Sequence, residues 1–288
     1  MNRHLLLTVG SGHTHQHAPR FVKYFYSGES KPKTTIFFVA PTVDMDISTS
    51  RDPGHAVSEA ETLVASYKRK GQRALDRARE DLVQAGFAKE TIETKIKVRS
   101  FGTVLDIVQE TGAGYYDAVV LGRRGLSMFE ELIEQSVSRK ILEEEIDFPI
   151  WICKEPLPES KNVLLCADGS EQSLRMADHV GFMLEGVTGH DVTILHIDRG
   201  NGDKEAALSQ ARAEILSNGF PADRIREVVL ESGQIGPTIL GYAEENGFAA
   251  VAMGTTGAGK KSGIWPFVGS ACLHVLKNMK HLCLWVSK

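Results

Sequence analysis

The chain has no excess of basic charge. Its 33 lysines and arginines stand against 37 aspartates and glutamates, for a formal net charge of −4. A large nucleic-acid footprint needs the opposite balance, so no nucleic-acid partner is expected. No apolar run approaches the length of a membrane span, and the opening Met-Asn-Arg-His-Leu-Leu-Leu-Thr-Val-Gly is too short in apolar residues for a signal peptide. A cytoplasmic protein without a membrane partner is the expectation. Cysteine is scarce. Cys153, Cys166, Cys272 and Cys283 form no C-x-x-C pair, and each lies in or beside an apolar run. They read as buried, reduced thiols, not as a disulfide framework. There is no G-x-S-x-G elbow, no Ser/His/Asp or Cys/His constellation, and no base aimed at a γ-phosphate or a water. No catalytic residue is assigned.

What the 288 residues do contain is a strand–helix alternation of a length suited to two domains. Strands are expected at residues 5–9, 34–39, 94–98, 117–121 and 149–153. Helices are expected from about 19, over 58–85, from 103 to a stop at Gly112, and over 136–142, with a loop at 42–57. Residues 155–161, proline-rich and polar, read as a linker. The order then starts again, with strands at 162–167, 192–197, 225–230, 249–253 and 283–286. Helices lie between them around Ala177, over 205–216 and 237–245, and from Ser270.

The two halves, 1–154 and 162–288, repeat each other. Gly10-Ser11 matches Gly169-Ser170 at an offset of 159, which sets Val9 against Asp168. Gly122 and Gly125 match Gly254 and Gly257 at 132, and Ser136 and Trp151 match Ser270 and Trp285 at 134. The repeat predicts two five-stranded parallel sheets with helices on both faces. The last strands, at Trp151 and Trp285, would be exposed apolar edges unless they pair, so the expected arrangement is a pseudo-dimer.

A ligand in such a sheet sits beyond the carboxyl ends of the strands. In the second half the turn at Asp168 would meet there with Gly254-Thr255-Thr256-Gly257 and with the helix start at Gly269-Ser270. Glycines admit a close approach of the backbone, and amides at a helix start face an anion. A nucleotide phosphate is the candidate; a tight turn without a ligand is the plain alternative. Gly254–Lys261 nearly spells a P-loop, but Lys261 stands where Ser or Thr must reach Mg²⁺.

Val163-Leu-Leu-Cys-Ala-Asp-Gly-Ser170, His196-Ile197-Asp198 and the glycine signature ending in Gly269-Ser270 resemble the universal stress protein family, and the whole chain resembles a tandem two-domain member. The resemblance implies two flavodoxin-like, adenine nucleotide alpha hydrolase-like domains, with ATP as cofactor, with or without Mg. It implies that Asp168 contacts the nucleoside and that Ile197 lines the adenine pocket. It places Met253, Gly254 and Gly257 at the ribose and phosphates, and Gly269, Ser270, Ala271 and Cys272 around the phosphates. Two features depart from the family. Eleven residues, not nine, separate Gly257 from Gly269, and Cys272 replaces a hydroxyl residue. Lys260 and Lys261 could supply charge there, or are simply solvated.

The first half reads as a degenerate site formed by Val9, Val39, Gly122, Gly125, Gln135 and Ser136. Gln135 replaces a glycine, and its side chain should crowd a phosphate. Nearby, His13, His15 and His17 alternate, so an extended segment would put three imidazoles on one side as metal ligands; a polar loop is the alternative. The functional expectation is a stress-response protein that binds an adenine nucleotide in its second half and acts on a protein partner with little or no turnover. Homodimerisation of the chain is a further option. The alternatives are a scaffold that binds no nucleotide, and a slow ATPase or self-phosphorylating protein using Ser270.

Overall fold

Among the described residues, short apolar runs bounded by glycine and polar turns become ten strands of one sheet. The computed structural model describes residues 3–12, 16–42, 53–122, 147–200, 203–255 and 269–287. In chain order the elements of the first half are β1 (His4–Thr8), α1 (His17–Phe25), β2 (Lys33–Ala40), α2 (Pro53–Gln84), β3 (Ile92–Val98), α3 (Thr103–Gly114), β4 (Ala118–Leu121) and β5 (Ile150–Cys153). The second half has β6 (Val163–Cys166), α4 (Glu171–Leu184), β7 (Val192–Asp198), α5 (Lys204–Ser217), β8 (Ile225–Glu231), α6 (Ile235–Glu245), β9 (Ala250–Gly254), α7 (Ser270–Asn278) and β10 (Cys283–Ser287). The helix expected over 136–142 lies outside the described residues.

Strand order is β3-β2-β1-β4-β5-β10-β9-β6-β7-β8. All neighbours are parallel except β5 and β10, which pair antiparallel with Trp151 opposite Trp285. The expected fold class, paired doubly wound α/β units with helices on both faces, is the one observed. Helices α1, α2, α4 and α5 cover one face, and α3, α6 and α7 the other. The central strands are buried on both sides, and each buried Leu, Ile or Val contributes about 1.5–3 kcal/mol.

Three local expectations change. Helix α2 begins at Pro53, inside the expected loop; proline suits a first helical position, where its missing N–H costs nothing. Helix α3 runs through Gly112 to Gly114 and ends at Tyr115 in the left-handed region, φ 52°. Its buried stripe of Val104, Ile107, Val108 and Thr111 outweighs about 1 kcal/mol of glycine cost. The repeat offset also shifts. Trp151 faces Trp285; Val120 pairs with Trp151 and Ala252 with Trp285; Leu7 pairs with Val120 and Leu165 with Ala252. Leu7 therefore corresponds to Leu165, an offset of 158, not 159. Val9 falls on Ala167, and their N–H groups donate to the corresponding carbonyls of Phe37 and Leu195. Gly10, not Val9, takes the position of Asp168.

Candidate functional site

In the second half the chain runs from β6 outward to β7 and β8, then returns to place β9 on the other side of β6. The connections diverge between β6 and β9, and the crevice beyond their carboxyl ends is the place for a ligand. Past β6, Gly169 has φ +77°, a conformation that suits glycine. The exposed Asp168 bends back so that its Oδ1 accepts from the Ser170 amide at 3.0 Å and from the Ser170 hydroxyl at 2.5 Å. Ser170 Oγ in turn accepts from the Ser173 amide at 3.2 Å and caps α4. This turn is held without a ligand, with a carboxylate presented to solvent at the crevice.

Across from it, β9 ends at Gly254. A Cβ there would lie 2.7 Å from Gln172 Cβ and 3.1 Å from the Ser173 nitrogen. The first turn of α4 thus presses on the end of β9, and packing alone requires this glycine. Thr255 follows, 8% exposed, with no partner for its hydroxyl among the described residues. Its N–H donates to Ser287 and its carbonyl accepts from the Gly269 amide at 2.5 Å. That last bond brings the start of α7 to the end of β9. Gly269 caps α7 without a side chain, so among the described residues the amides of Ser270, Ala271 and Cys272 have neither a side-chain acceptor nor an intrahelical one. By contrast, α4 and α5 are capped by Ser170 and Asp203. A helix start bare of acceptors beside the β9 turn favours an anion.

Ser270 is exposed, Ala271 half-buried, and Cys272 buried beneath them. Burial pushes the Cys272 thiol up to about 12. It also raises the Cys166 thiol, with Cys272 and Asp168 adding to the rise. Both sulfurs therefore stay uncharged, which suits a site for an anion, and the end of β6 lies close to α7. Ile197 is half-buried near the end of β7, packed with Cys166 against the α6–α7 side. Met253 is buried in the same core, at 6% exposure. His196 Nδ1 donates to the Ala167 carbonyl at 2.8 Å and ties β7 to the β6 turn. The Gly200 amide, then Lys204, hold the Asp198 carboxyl below its usual range. Gly257, Lys260 and Lys261 lie outside the described residues.

The first-half crevice is built differently. Val9 is buried, Gly10 offers no carboxylate, and Val39 is half-buried at the place of Ile197. Gly122 follows β4, and a Cβ on it would meet His17 Cβ at 3.5 Å. His17 is the buried first residue of α1, so the expected run of three imidazoles along an extended segment breaks at its third member. His13, His15, Gly125, Gln135 and Ser136 lie outside the described residues. No cluster of three or more potential metal ligands occurs among the described residues. Thr255 borders the second-half crevice, and in the sequence it stands only as part of the Gly254–Gly257 turn, with no role of its own; a hydroxyl directly after an apolar strand and a glycine was the available signal.

Residues 159–286 match the Universal stress protein family. Comparison with curated proteins finds no match to the chain. Among solved structures, a universal stress protein from Archaeoglobus fulgidus is similar over 99% of this chain and 96% of its own, at 22% identity and a TM-score of 0.65. A functionally unknown protein from Pseudomonas aeruginosa covers 100% and 92%, at 14% identity and a TM-score of 0.57. These likenesses concern the fold.

Proposed function

We propose that this chain, whose residues 159–286 match the universal stress protein family, binds an adenine nucleotide in its second half and acts as a nucleotide-dependent regulator with little or no turnover. The observation that carries the reading is the convergence of three features at the carboxyl ends of β6 and β9. They are the solvent-facing Asp168 carboxylate, and the Thr255 hydroxyl and α7 start amides, which have no partner among the described residues. Asp168 would accept from a ribose hydroxyl, Ile197 would flank the base, and the amides of Ser270, Ala271 and Cys272 would face phosphate oxygens. These residues fit ATP: the donors are neutral amides and a hydroxyl, and neither nearby thiol carries charge at neutral pH. The first half, without a carboxylate at Gly10, would be the degenerate member of a tandem pair.

Isothermal titration of the nucleotide-stripped chain with Mg-ATP tests this. One site per chain, lost in Asp168→Ala, is the expected result. Two sites would make the first half active as well. No binding by calorimetry and by a second method would overturn the nucleotide reading and leave a scaffold in its place.

A further inference from the structure

Cys153 is the last residue of β5 and Cys283 the first of β10. They face each other directly across the antiparallel seam, with their sulfurs 2.8 Å apart, nearer than thiols in ordinary van der Waals contact. The Lys154 amide donates to the Leu282 carbonyl, so the ladder bond lies outside the cysteine pair and the pair itself is a non-hydrogen-bonded one. Cα atoms at such a pair sit about 4.5 Å apart, with side chains leaning together. A disulfide spans Cα separations of about 4.4–6.8 Å, so this pair can close without moving the strands. Both residues are fully buried, but each stands at the end of its strand, beside half-buried Lys154 and exposed His281.

We propose that Cys153 and Cys283 are a covalent site, a dithiol that hydrogen peroxide closes to a disulfide joining the two halves through their shared seam. Burial, then the contact with Cys153, keeps the Cys283 thiol protonated, so it is the Cys153 sulfur, as its thiolate, that attacks a peroxide oxygen; the O–O bond breaks and a sulfenic acid and hydroxide form. The second sulfur then displaces the sulfenic oxygen, the S–S bond forms, and the protons of the two thiols leave in two molecules of water. The peroxide is reduced as the two sulfurs are oxidised. The closed bond would tie residues that are 130 apart in sequence, so it would restrict the unfolded chain strongly.

The test treats the folded full-length chain with hydrogen peroxide, blocks free thiols under denaturing conditions, and maps peptides without reductant. A Cys166→Ser/Cys272→Ser variant repeats it with the seam pair as the only cysteines. A 153–283 linked peptide that dithiothreitol releases is the expected result, with a melting temperature higher for the oxidised chain than for the reduced one. In Cys153→Ser the peroxide should leave the melting temperature unchanged. Recovery of both cysteines as free blocked thiols, or as sulfinic acids, overturns the proposal. Mapping of the natural chain decides the matter even where the variants fold poorly.

Discussion

Trp151 lies flat against Trp285, with 3.8 Å between ring centroids and 1° between ring planes. The two residues occupy the same place in the two halves and meet on the pseudo-two-fold between them. Phe21 and Phe25 stand edge-on to Trp151, and the Trp151 indole N–H donates to His179 Nε2 at 3.1 Å. The seam is therefore a core in its own right, built from both halves at once.

Removing one ring should damage both halves together. Trp151→Ala empties a fully buried position, and a loss of about 3–5 kcal/mol is expected. Urea unfolding followed by circular dichroism checks it. A loss under 1 kcal/mol would mean that the stack contributes little.

His179 gives the seam a pH dependence. Burial lowers its pKa to about 3, so in the folded chain the ring stays neutral and keeps accepting from Trp151 well into acid. In the unfolded chain it takes a proton at about 6.5. The unfolded state thus binds more protons between about pH 6.5 and 3, and stability falls as pH falls through that window. From about pH 7 to about pH 4.5 the contribution is on the order of 2–3 kcal/mol. His179→Gln keeps an acceptor for the indole but cannot titrate. Its urea midpoint should vary less over this range than that of the natural chain, and an equal slope would remove His179 from the account.

Most of this architecture was legible in the sequence because the signal is local. Five-residue apolar runs closed by glycine can hardly be anything but buried strands, and the matched tryptophans foretold the seam. What was not legible depends on registration and on distant partners. An offset of 159 follows from aligning Gly10-Ser11 with Gly169-Ser170, and only ladder pairing shows that the true offset is 158. Gly254 reads as a phosphate glycine from its motif, yet Gln172 and Ser173 already forbid a side chain there. Arg3 and His179 act on elements of the opposite half, which no local pattern announces.

Arg3 illustrates the point. It stands just before β1, only 5% exposed, yet its Nη1 donates to the Met183 and Glu185 carbonyls at 2.8 Å each, at the end of α4 in the other half. Its Nη2 donates to Ser30 Oγ at 2.6 Å. A guanidinium caps the last carbonyls of the helix and meets the negative end of its dipole. Arg3→Ala should cost about 2–3 kcal/mol, because buried carbonyls lose a charged donor. Arg3→Lys should recover only part of this, since an ammonium lacks the planar fork. Denaturation midpoints of the three chains decide it, and full recovery by lysine would show that charge alone matters.

Thr255 separates folding from binding. Its buried hydroxyl has no partner among the described residues, so it carries a desolvation cost with no compensating bond. Thr255→Val keeps the branched shape and removes the oxygen. The variant should be as stable as the natural chain without ligand, or more stable by about 1 kcal/mol. If the hydroxyl instead meets a nucleotide phosphate, the same change should weaken Mg-ATP binding several-fold and reduce the rise in melting temperature on adding Mg-ATP. The two effects run in opposite directions, so general damage to the fold cannot mimic them. A variant less stable without ligand and unchanged in affinity would place Thr255 in the packing of the β9 turn and outside the site.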